Sequence, residues 1–189
     1  MQIPLYLLNL RRLFLALIFL PGVAASSWAA CVNTATPTCG VYQSCFADRC
    51  NCSGSQYEYF KSYGEKYCKA FLELPGLSDK GNKWRDSTLR CLQEKIVPML
   101  PVDGAANSCN CKQMQIDVFD SHVACYTQPS SSICDLSVAD WSKITAATDP
   151  IASLVDQKSR KQIKEVARIC YNKVTGDVKD AIKKLLDKL

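Results

Sequence analysis

The chain carries one histidine, His122, among its 189 residues, so hydrolytic chemistry of the Ser-His-Asp or Cys-His kind has a single imidazole to draw on. Glycine is sparse, at eight residues, and no Gly-rich phosphate loop occurs. No Asp/Asn-rich loop has the EF-hand spacing, and no stretch alternates apolar and polar residues as a strand would. Beyond residue 30 no apolar run approaches the roughly 20 residues a helix needs to cross a bilayer. Charge of one sign is also lacking: 23 Lys+Arg stand against 18 Asp+Glu, too mild a balance to mark a nucleic-acid partner. Paired carboxylates with shifted pKa values have no visible candidate, and an enzyme is not expected.

The N-terminus explains part of that charge. Arg11 and Arg12 precede an apolar run from Leu13 to Leu20, then Pro21-Gly22 and a small-residue stretch to Ala30. This is the plan of a secretory signal peptide over residues 1–29, with cleavage near Ala25 or Ala29. The run is short for a membrane anchor. Cys31 after Trp28-Ala29-Ala30 is a poor lipoprotein site. Removing the signal leaves 21 basic against 18 acidic residues, a net of +3. The mature chain, 30–189, is long enough for one domain with a modest core. It should be secreted, or periplasmic in a Gram-negative host.

What the chain has in excess is cysteine. Cys31, Cys39, Cys45, Cys50, Cys52, Cys68, Cys91, Cys109, Cys111, Cys125, Cys134 and Cys170 make twelve, an even number in an exported chain, so six bridges and no free thiol are expected. The tripeptide Cys-Asn-Cys occurs twice, at 50–52 and 109–111, either as two metal clamps or as two halves of one staple. Zinc sites favour wider spacings on a reduced background, so no metal and no cofactor are expected. Asn51-Cys52-Ser53 has the form of a glycosylation acceptor at Asn51.

The remaining pattern is helical throughout, and the fold class is all-α: a disulfide-stapled helical bundle with an irregular Cys-rich cap over 31–54. Tyr57, Phe60, Gly64, Tyr67, Cys68 and Phe71 form an apolar stripe that Pro75-Gly76 ends. Ser78 or Asp79 caps a second helix with Trp84, Thr88, Cys91, Leu92 and Ile96 inward. Pro98 and Pro101 close it, and a loop runs to Asn107. A third stripe comprises Met114, Val118, His122 and Cys125. Pro129 and the serines after it turn the chain, and Ser137 with Asp140 resembles a capping box. Asp149-Pro150 is read as the start of a long helix with Ile151, Leu154, Val155, Ile163, Val166, Ala167 and Cys170 inward. A last helix places Val178, Ile182, Leu185 and Leu189 on one face.

Several residues invite a functional reading beside a structural one. His122 lies on the inner stripe of its helix and reads as a packed histidine; a phospholipase-like His-Asp pair is broken by Val123. Asp117 and Asp120 share a helix face but read as a solvated one. Tyr59 and Tyr63 fall on the flank of the first stripe, where they would form core or an exposed binding patch. The last helix carries Lys179, Lys183, Lys184 and Lys188 against Asp177, Asp180 and Asp187. That mixed face favours docking on the bundle over an anionic membrane, although a saposin-like lipid-interacting domain is the alternative reading.

The runs "TCGVYQSCFADRC", "YCKAFLELPGLSDKGNKWRDSTLRCL" and "FDSHVACYTQPSSSICDL", with a lone cysteine at 170, resemble the stanniocalcin family of secreted disulfide-bonded glycoproteins over about residues 31–170. The resemblance implies bridges Cys31–Cys45, Cys39–Cys68, Cys91–Cys125 and Cys134–Cys170, with one more joining the cap to the third helix. With an extra cysteine in each Cys-Asn-Cys motif, Cys50 and Cys52 should meet Cys109 and Cys111 in two adjacent bridges, in a pairing the sequence leaves open. Family members carry a further interchain cysteine. None follows Cys170 here, so a monomer or non-covalent dimer is expected, with an extracellular protein as partner. A hormone-like role in calcium and phosphate balance, or inhibition of a pappalysin-like metalloproteinase, is what the family implies.

Overall fold

Short polar side chains set the helix starts. A computed structural model describes residues 31, 37–101, 108–128, 130–148 and 156–189; the signal peptide, the loop 102–107, Pro129 and the Asp149-Pro150 start lie outside them. Ser78 accepts the Gly81 N–H at 3.1 Å, Asn110 accepts that of Gln113 at 3.1 Å, Ser137 that of Asp140 at 3.1 Å and Asp156 that of Ser159 at 2.7 Å. Each satisfies an amide that a helix end leaves unpaired, a contribution of about 1 kcal/mol per cap. These four open α2 (Asp79–Ile96), α3 (Cys111–Tyr126), α4 (Val138–Ala147) and α5 (Gln157–Tyr171), whereas α1 (Lys66–Leu72) and α6 (Gly176–Leu186) start without a side-chain cap. The fold is all-α, with no strand among the described residues.

These helices pack as a bundle in which α3 lies between α2 and α5, α1 contacts α2 and α4, and α6 lies against α5 and α4. The segment before α1 is less regular. It holds two π-helical turns, Tyr42–Ala47 and Phe60–Glu65, packed on each other. Tyr42, Phe46, Tyr59 and Phe60 from this segment enter the core beside Trp84, Ile96 and Val118. The N-terminal cap is therefore part of the core and not a cover laid over it.

Six bridges lock this arrangement: Cys31–Cys45, Cys39–Cys68, Cys50–Cys109, Cys52–Cys111, Cys91–Cys125 and Cys134–Cys170. No cysteine is free, so none is left for an interchain bond. Cys91–Cys125 ties α2 to α3 and Cys134–Cys170 ties the turn before α4 to α5. The first four bind the irregular segment to itself, to α1 and to the start of α3. Such closure is the state of an oxidising compartment.

Two sequence expectations need adjustment. The helix that ends at Tyr171 does not run unbroken from the expected Asp149-Pro150 start, which itself lies outside the described residues: Asp156 is extended at ψ 118° and turns its carboxylate onto the Ser159 amide, so α5 begins at Gln157. Tyr59 and Tyr63, which a 3.6-residue period puts on a flank as either core or patch, belong to the core. Tyr59 is 3% exposed, and Tyr63 is half-buried against the Phe119 ring. The cause is the π-helical turn, in which the Gly64 N–H reaches back five residues to the Tyr59 carbonyl at 2.8 Å. A wider turn rotates the inward face, so a 100° wheel misplaces both tyrosines.

Gly64 is the residue that lets this turn approach its neighbour. A Cβ there would lie 2.5 Å from Tyr42 Cε1 and 3.0 Å from Tyr59 Cε1. Gly64→Ala, usually favourable within a helix, should here destabilise the protein by about 1–3 kcal/mol through overpacking. Urea unfolding of the variant beside wild type checks it; an unchanged or raised midpoint would remove Tyr42 as the obstacle.

Candidate functional site

His122 sits at the centre of the core, 1% exposed. The amphipathic period of α3 turns it inward with Val118 and Cys125, and the π-turn of the preceding segment brings Tyr59 to meet it. The Tyr59 hydroxyl lies 3.0 Å from Nε2, and Gln162 Oε1 from α5 lies 3.3 Å from Nδ1. Gln162 Nε2 donates to the Phe119 carbonyl, which turns its Oε1 to the imidazole. Nδ1–H therefore donates to Gln162, and Nε2 accepts from Tyr59. Both ring nitrogens are engaged, so the histidine is a joint between three segments.

Aromatic rings close the remaining sides. Tyr126 is stacked on His122 with centroids 5.6 Å apart, and Tyr63, Tyr59 and Phe119 lie within 6.2 Å. Burial pushes the imidazole pKa down to about 4, against a smaller upward pull from the Gln162 hydrogen bond. Burial likewise raises the Tyr59 hydroxyl well above its ordinary value, and neighbouring tyrosines add to the rise. At neutral pH this is an uncharged cluster whose imidazole is itself shut from solvent, while Tyr63, Tyr126 and Gln162 on its flank line a small cavity with Trp84 and Trp141.

The two Cys-Asn-Cys motifs form the second candidate. They run in parallel register, with Cα separations of 5.1 Å for Cys50–Cys109 and 5.6 Å for Cys52–Cys111. Cys50 and Cys52 are buried, whereas Cys109 and Cys111 are partly exposed. Cys50 Sγ and Cys52 Sγ, in different bridges, are 3.6 Å apart. The sulfurs of Cys50, Cys52 and Cys109 all lie within 4.8 Å of one another, a density that in thiolates would suit a metal. Each is committed to a disulfide, and the thiolate is the metal-binding form. Asn51 is exposed between them, its side chain accepting the Ser53 amide at 3.1 Å.

The other candidates do not converge. Asp117 lines a cleft with Cys109, Asn110, Gln113 and Met114 and accepts from Gln113 at 2.7 Å. Asp120 lines a different cleft with Lys158 and Lys161. The last helix buries Ile182 to 2% exposure, while Val178, Ala181 and Leu185 are partly buried and line a cleft with Val138 and Trp141 of α4; Lys179 Nζ lies 4.6 Å from the Tyr171 ring centroid. No described helix is long and apolar enough to cross a membrane.

Asp140 has a reach that its local sequence does not declare. Beyond its amide bond to Ser137, its carboxylate accepts the Ser78 N–H at 2.9 Å, the Ser78 hydroxyl at 2.6 Å and the Ser137 hydroxyl at 3.1 Å. One carboxylate thus joins the starts of α2 and α4. Burial works to raise its pKa, but the hydrogen bonds from Ser78 and Ser137, with nearby Lys143, hold it below the ordinary carboxylate value. Residues 62 apart in sequence meet here, and only the tertiary fold brings them together.

The two groups give separate pH windows. The fold favours neutral His122, so the unfolded chain binds more protons between pH 6.5 and about 4, and stability falls with pH across that range by about 3 kcal/mol. Denaturant titrations at pH 7 and pH 4.5 should show the loss in wild type and much less of it in His122→Gln; equal losses would contradict it. Asp140 contributes stability above its unfolded pKa of roughly 3.9, lost as pH falls through its lower folded value. Asp140→Asn should cost about 1–2 kcal/mol at neutral pH, read as a lowered urea midpoint, and no shift would show that the carboxylate does not couple the two helices.

Compared with known proteins, the chain matches no family model, no curated protein and no solved structure.

Proposed function

We propose that this is a secreted, stanniocalcin-like protein that acts by binding an extracellular protein partner rather than by catalysis. The observation that carries the reading is the order of the bridges. Cys31–Cys45, Cys39–Cys68, Cys91–Cys125 and Cys134–Cys170 are the pairs the family resemblance implies, and the fifth family bridge, from cap to third helix, falls where the two Cys-Asn-Cys motifs meet. A staggered set of this kind fixes the surface over which the helices present their side chains, which lowers the ordering cost of association. The sealed His122 site supports binding over hydrolysis, since its imidazole has no approach from solvent.

Within that reading, inhibition of a pappalysin-like metalloproteinase is the activity open to direct test, and a hormone-like role in calcium and phosphate balance would act through the same partner surface. The purified mature protein should slow cleavage by such a protease in a saturable, concentration-dependent way, and unfolding the protein by reduction should abolish the effect. Full protease activity at saturating protein would remove this arm. Co-sedimentation with anionic liposomes that is lost on deleting residues 177–189 would move the reading to a lipid-interacting domain.

A further inference from the structure

The double bridge is the one place in the described molecule where two disulfides touch. We propose that it is a thiol-triggered exchange centre, in which an incoming thiol converts Cys50–Cys109 and Cys52–Cys111 into Cys50–Cys52 and Cys109–Cys111 without net reduction. Three observations combine to carry this. Cys50 Sγ and Cys52 Sγ, one from each bridge, stand 3.6 Å apart, so a thiolate released on one already contacts the bond it would attack. Cys109, itself partly exposed, lines a cleft of about 540 Å³ with Met99, Pro101, Ser108, Asn110 and Met114, large enough for a small thiol to approach the bridge. Cys111 is the first residue of α3, at the positive end of the helix dipole, which favours a thiolate and so a better leaving group.

The steps balance. An external thiol loses its proton to solvent, and its thiolate attacks Cys109 Sγ, forming a mixed disulfide and expelling Cys50 as thiolate. Cys50 attacks Cys52 Sγ, forming Cys50–Cys52 and releasing Cys111. Cys111 then attacks Cys109 Sγ in the mixed disulfide, forming Cys109–Cys111 and returning the external thiolate, which recovers its proton. No electrons are gained or lost, and the thiol acts as catalyst. The consequence is that the cap is unlinked from α3 while every sulfur stays oxidised, which a lone bridge between the two segments could not do.

Trypsin reads the two states apart, because cleavage after Arg49 and Lys61 isolates residues 50–61, and cleavage after Lys95 and Lys112 isolates 96–112, each peptide holding only its own two cysteines. The folded protein is incubated with glutathione at a small fraction of its own concentration, quenched in acid, alkylated and digested without reduction. The two peptides should pass from one joined species to two separate ones, each with an internal bridge and no alkyl group, while the other four bridges persist. In Cys52→Ser/Cys111→Ser, which keeps the Cys50–Cys109 link, unalkylated separation should be lost. Peptides that stay joined in wild type, or that separate only with uptake of alkylating agent, would overturn the proposal, as would equal separation in the double variant.

Discussion

The structure depends on holding an irregular segment in the core by covalent bonds. Residues 37–65 carry only π-helical turns as regular structure, yet they deliver Tyr42, Phe46, Tyr59 and Phe60 to the interior. A segment with few helical hydrogen bonds has little of its own to offset the entropy of ordering. Four of the six bridges involve it. With the segment held in place, α3 has a partner for His122 and a surface for Phe119. Without it, the polar chain from Tyr59 through His122 to Gln162 would open to water at one end.

That polar chain shows how a small core affords a buried imidazole. An unpaired polar group in a dry interior costs several times what a satisfied one contributes. Here the donors and acceptors run in one direction, from the Tyr59 hydroxyl to the imidazole, to Gln162 and on to the Phe119 carbonyl. Asp140 answers the same demand at the opposite kind of site, where two helix ends would otherwise leave their amides and hydroxyls competing for water.

The regular helices were legible because the 3.6-residue period and short polar caps are local signals. Ser78, Ser137 and the α3 stripe of Met114, Val118, His122 and Cys125 stand where the pattern puts them. Two local features escape that pattern, each for its own reason. A period of 3.6 does not describe a π-turn, which carries Tyr59 from the flank into the core, and the cap at Asp156 has no proline beside it to mark a new helix start. For the candidate site, local sequence gives the helix face of His122 and the existence of paired Cys-Asn-Cys motifs. It gives neither the tautomer imposed by Gln162, which comes from 40 residues away, nor the register of the two bridges, nor the second helix that Asp140 caps.

The paired bridges differ in what they constrain. Closing a loop across a separation of 59 residues removes about 4 kcal/mol of chain entropy from the unfolded state in the usual model. The second bridge then closes only a ring through the two tripeptides, for which the same model gives about 2 kcal/mol, roughly half as much, because loop-closure cost grows slowly with length. Its further effect is on orientation: one disulfide leaves a swivel, whereas two in parallel register fix how the segments face each other. Asn110 and Cys111, the cap and first residue of α3, lie inside that ring. Even in the denatured chain the residues at the mouth of α3 therefore keep fewer conformations to lose when the helix forms.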